Sequence, residues 1–189
     1  MATQDSRIKI KRSTITATVP TVPSSNDHTD GTWITTDIYK GELFFNQADG
    51  VLWSRDDNGV TCLGGSASLT IASADVLTLN TTPLTIVGAV AGYAIEVVSA
   101  SVKIDFNTTA YATNTTIELI NSGAGNEQVN STKLNAPIDL IARMQPITPV
   151  DGQTQITENT DLQVSVKTGN PTAGDSDITV FVNYRLIPA

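Results

Sequence analysis

At 189 residues the chain has room for one ordinary domain with an extension, or for two small domains. Its composition, 40% apolar and 16% charged, is that of a chain that folds. A net charge of -8 weighs against nucleic acid as the main partner. β-Branched residues are plentiful and runs of helix formers are scarce, so the expected class is all-β. Cys62 is the sole cysteine, so no intrachain disulfide forms, and a buried, inert thiol is the expectation.

In chain order, the first residues lack the apolar core of a secretory signal, and a basic cluster follows at Arg7, Lys9, Lys11 and Arg12. Ile8, Ile10, Ile15, Ala17 and Val19 suggest two short extended pieces, closed by Pro20 and Pro23. Residues 24–31 are polar and turn-forming. Residues 33–39 and 42–46 read as strands, Asp49-Gly50 as a tight turn, 51–54 as the returning strand and residues 56–59 as a second turn. Hairpins this small are marginal alone, so their apolar side chains are expected to pack against other copies or a partner.

Residues 64–68, all Gly, Ser or Ala, read as the start of a linker over 65–75 between a first region, 1–64, and a second, 76–189. The second region alternates with period two. Val98, Ala100, Val102, Ile104 and Phe106 point one way, and Ser99, Ser101, Lys103 and Asp105 the other. Leu162, Val164 and Val166 repeat the pattern, as do Ile178, Val180, Val182, Tyr184 and Leu186. Shorter candidates are 77–79, 84–87, 115–120 and 138–144. The segment 84–98 is too short and too interrupted, by Gly88, Gly92 and Glu96, to cross a bilayer, so no membrane partner is expected. Without helical crossovers the strands pair antiparallel. The expected fold is an antiparallel β-sandwich, jelly-roll-like, behind a small hairpin-rich N-terminal region. Phe181 falls on the outward face of the last strand, which marks it as an oligomer contact.

The chain offers little chemistry. His28, the lone histidine, lies in a polar turn and lacks the further ligands that zinc needs. Residues 56–59 imitate a calcium loop, but Ser54 and Gly65 stand where acids are required. Asp161, Asp175 and Asp177 are a weaker calcium candidate. There is no nucleophile elbow and no phosphate loop. The expectation is a non-enzyme with no cofactor and no resident metal.

Ile8 to Thr14 (IKIKRST), Val19-Pro20-Thr21, Gly41-Glu42-Leu43-Phe44-Phe45-Asn46, Asp49-Gly50-Val51-Leu52-Trp53 and Asp57-Asn58-Gly59 together resemble a pattern of tailed-bacteriophage virion appendages. In that pattern a basic strand and a proline turn precede a G-E-L-x-x-N-x-x-D-G-x-L-aromatic hairpin. The likeness covers about a third of the chain. The loop 168–175 before the final strand is similar to the sandwich domains at the outer ends of such appendages, with head fibres of crass-like phages nearest. Two departures stand out: the insertion over residues 24–39, and a chain too short for a long receptor-reaching fibre.

The resemblance implies a structural virion protein, made in the host bacterial cytoplasm and built as a short homotrimeric head fibre or capsid decoration. Its first region would dock on the major capsid protein or another virion protein, with the sandwich projecting. Ile8, Lys9, Lys11 and Arg12 are the expected docking strand, and Trp33 and Trp53 join Phe181 as oligomer contacts. A tail-fibre or collar component is the alternative, as is a module that recognises a host-surface glycan or receptor through loop 168–177.

Overall fold

The computed structural model describes residues 10–23, 34–57, 59–123, 126–147 and 156–188. Ile8, Lys9, His28 and Trp33 lie outside them. The chain divides into two compact units, Met1–Gly64 and Gly65–Ala189.

The first unit is built on a hairpin. β2 (Leu43–Asn46) and β3 (Val51–Arg55) pair antiparallel, with Phe44 opposite Trp53. Gly50, at φ 67°, supplies the left-handed residue of the connecting turn. β1 (Lys11–Ser13) adds to β2 in parallel, and the front of β4 (Val60–Ile71) follows β3. Ile38, Phe44 and Trp53 are 0%, 1% and 1% exposed. This corrects the expectation that such hairpins leave their apolar residues under-packed. Trp53, expected at an oligomer contact, is interior instead, because it alternates inward with Val51 along β3.

The expected strand over residues 33–39 is also absent among the described residues. There, Asp37 closes a turn, its amide donating to the Ile34 carbonyl and its carboxylate accepting from the Ile34 amide.

The second unit is a two-sheet sandwich. One sheet runs in the order β4 (its Gly65–Ile71 part), β12 (Asp177–Pro188), β6 (Tyr93–Asp105), β9 (Leu140–Arg143). The other runs β10 (Gln145–Pro146), β8 (Asn126–Ser131), β7 (Ile117–Asn121), β11 (Leu162–Val166), β5 (Leu84–Val87). Apart from the two-residue β10, the strands number in chain order as 1-8-3-6 and 2-7-4-5, with every pairing antiparallel. That is the jelly-roll order. Its interior is filled by Ile95, Val102 and Ile104 from β6, Ile178 and Val180 from β12, Ile117 and Leu119 from β7, and Leu162, Val164 and Val166 from β11, none more than 1% exposed.

Three departures from the sequence pattern have local causes. Val98 does not point inward with Ala100; it is 64% exposed. The β12 register passes from Asn183 opposite Ser99 to Tyr184 opposite Val97, leaving Val98 as the extra residue of a bulge that reverses the alternation. Residues 65–71, expected as linker, are strand paired with β12. Small residues there reflect close packing: a Cβ at Gly65 would lie 2.6 Å from Cζ of Tyr184. Residues 77–79, expected as a strand, follow a single helical turn, α1 (Ser73–Val76), which buries Val76 and Leu79.

Candidate interaction surface

The appendage-like motif of the first unit has a defined mechanical role. The buried Asn46 donates from Nδ2 to the Ile15 and Thr18 carbonyls and to Asp49, at 3.1, 3.2 and 2.6 Å. Its Oδ1 accepts from the Ala48 and Asp49 amides, an Asx turn that shapes the hairpin bend. Asp49 also accepts from the amide of Ala17, a non-glycine residue held at φ 57°. The extended piece expected through Ile15 and Ala17 is therefore a turn, clamped to the hairpin by two side chains of the motif. Glu42 accepts from the Tyr39 amide at 2.8 Å and from Lys11 at 2.9 Å.

This geometry separates the two described docking residues. Lys11 turns inward: besides Glu42, its ammonium reaches the Asp37 carbonyl at 2.6 Å and lies 5.1 Å from the Tyr39 ring centre. Its charge is engaged within the unit. Arg12, one residue on, is exposed. Among the described residues β1 is the terminal strand of its sheet, the position from which a sheet can take on a further strand.

In the second unit the outward face of the β4–β12–β6–β9 sheet is mostly polar around one aromatic. Ser66, Ser68 and Thr70 on β4, and Ser99 and Ser101 on β6, flank Thr179, Phe181 and Asn183 on β12. Phe181 stands between Ser68 and Ser101 at 42% exposure, beside a shallow hollow of about 390 Å³ lined by Ser66, Ser68 and Asn183. Two ion pairs bound the face, Arg185 with Glu96 and Lys103 with Asp105.

A second concavity, of about 380 Å³, opens where the chain leaves β9 of one sheet for β10 of the other. Val97, Val129, Met144 and Ile147 line it. At its floor Gln128 bridges the sheets, accepting from the Val97 amide and donating to the Ile95 carbonyl.

The loop expected to recognise ligands is consumed by internal bonds. Asn170 accepts from the Asn80 and Thr81 amides, and its carbonyl accepts from Asn114. Asp175 accepts from the side chain of Thr108 and the amides of Thr109 and Thr108, which hold its carboxyl below the usual range. Tyr111 donates to the Ser176 carbonyl, and burial, with Asp177 and Asp175 nearby, pushes its phenol upward. Asp161 and Asp177 likewise serve backbone amides, of Ala89 and Ser73. Among the described residues no group of three or more His, Cys, Asp or Glu is placed to hold a metal. Cys62 is half-buried on β4, not fully buried.

One charged group that sequence reasoning missed is Glu118, 9% exposed on β7. Burial and the charge of Glu127 raise its pKa, against Lys167 and Ser165, which lower it. Lys167 is itself bound to Glu127 at 2.6 Å. The position of Glu118 between the apolar Ile117 and Leu119-Ile120 was the available signal.

No family model matches the chain, and no curated protein does. A solved structure described as the cyanophage Pam1 capsid asymmetric unit is similar over 66% of this chain and 86% of that one, at a TM-score of 0.41 and 16% identity. A likeness this shallow decides nothing about function.

Proposed function

We propose that this chain is a structural component of a tailed-phage particle, a short head fibre or capsid decoration, with the first unit docking on the capsid and the jelly roll projecting from it. The observation that carries the reading is the hairpin unit. Glu42, Asn46 and Asp49, which make the sequence resemble phage appendages, are also the residues that clamp β1 and the following turn onto the hairpin. A motif spent on rigidly presenting a terminal strand suits attachment. Arg12 is the described residue best placed to meet an acidic capsid surface, with the β1 edge accepting a strand from the partner. Glycan recognition by residues 168–177 is disfavoured, since their polar groups are already bonded within the unit.

The test follows from the same geometry. Removing residues 1–20 would delete β1 and the partners of Asn46, so it would unfold what it probes. Arg12→Glu keeps the unit intact. Tagged protein carrying Arg12→Glu is expected to be incorporated into purified particles at least about tenfold less than wild type, the loss of one well-placed interface charge. Incorporation at the wild-type level, with an unchanged melting curve, refutes the docking role. Absence of the wild-type protein from the particles refutes the virion reading altogether.

A further inference from the structure

We infer that the outward face of the β4–β12–β6–β9 sheet is a self-docking surface, covered in solution by the same face of a second copy of this chain. The inference goes beyond the virion reading and stands without it.

Three observations identify the occupant. First, the face carries both halves of a knob-and-hole contact. Phe181 protrudes, and the hollow walled by Ser66, Ser68 and Asn183 lies directly beside it. A twofold axis in the interface sets each ring into the other copy's hollow, as an isologous contact requires. Second, with that axis set across the strands, the two β12 strands run antiparallel, and the Arg185–Glu96 pair of each copy meets the end of the other copy where Lys103 pairs with Asp105, so the charges at both ends are already paired within each copy. Third, the size fits. Beside residues 177–185, β6 runs the full length, β4 contributes seven residues and β9 four, roughly 470 Å² a copy and a little under about 1,000 Å² for the pair, at the lower limit of a specific interface. Short side chains surround Phe181, the central aromatic anchor, on β4 and β6, and the longer Lys103, Ile141 and Arg143 lie toward the β9 edge.

Sedimentation equilibrium of the full chain is the experiment. The wild type is expected to be dimeric at about 100 µM and to dissociate at a few µM, as an interface of minimal area should. Phe181→Ser is expected to weaken association at least about tenfold without lowering the melting temperature taken at about 1 µM, where both chains are monomeric. Ser68→Arg, which fills the hollow from the outside, is expected to do the same and decides the matter if Phe181→Ser misfolds. A wild-type chain that is monomeric at 100 µM, a wild-type trimer, or variants that keep the wild-type mass would each overturn the inference. None of these outcomes alters the particle-incorporation result for Arg12→Glu, so the two readings fail separately.

Discussion

In the first unit a few polar side chains reach across 17 to 32 residues of sequence. Asn46 holds Ile15 and Thr18, Asp49 holds Ala17, and Arg55 donates to the Ile38 carbonyl. In the second, buried aliphatic side chains from seven strands interdigitate between two sheets, and polar bonds serve mainly the connecting loops, as with Asp161, Asn170 and Asp175. Length explains the contrast. The first unit has a compact core, Ile38, Phe44, Val51 and Trp53, to which directional bonds fasten its turns, whereas the longer sandwich draws its stability mainly from area removed from water.

Mutations should expose that difference. The largest loss is expected for Leu119→Ala, at the centre of β7, which costs about 2–5 kcal/mol through lost burial and the cavity left behind. A melt of the purified chain checks it, and a loss below about 1 kcal/mol would mean that the sandwich relaxes around the site. Asn46→Ala is expected to cost somewhat less, about 2–3 kcal/mol, because it removes the amide that donates to the Ile15 and Thr18 carbonyls and to the Asp49 carboxylate, which keeps the Ala17 amide. Its signature is local: in hydrogen exchange the amide of Ala17 should lose protection while those of β7 and β11 keep theirs. Uniform loss across both units would erase the contrast between them.

The smallest effect is electrostatic. Burial, then the neighbouring Glu127, raises the pKa of Glu118 in the folded state above its unfolded value. The folded chain therefore binds the proton more tightly, and the favourable contribution, full at acidic pH, is lost as pH rises through the raised pKa. Glu118→Gln should consequently raise the melting temperature at pH 8 by about 2–4 °C, as 1 kcal/mol does for a chain of this size, and by less at pH 4. An equal gain at both pH values would show that packing, not charge, is responsible.

The sandwich strands with strict alternation were legible: β11 and β12 bury the very residues that period two selects. β8 was not, because of its six residues only Val129 and Ser131 are buried and its pattern is too polar to announce a strand. The bulge at Val98 was also illegible, since a bulge follows from the partner strand's register and not from the residue's own chemistry. Of the candidate contacts, Phe181 is exposed on the outward face that alternation gives it, whereas Trp53 is interior. A hairpin's pattern names two faces without naming which is covered.

By itself, then, the sequence determined the class, the turns and most of the strands, because side-chain alternation and Gly, Asn and Asp placement are local properties of the chain. Only the tertiary structure decided the jelly-roll order, the strand running through Gly64-Gly65, the inward turn of Lys11 and the hollow beside Phe181. Each of these depends on pairings between residues far apart in the chain, whose partners no local pattern specifies.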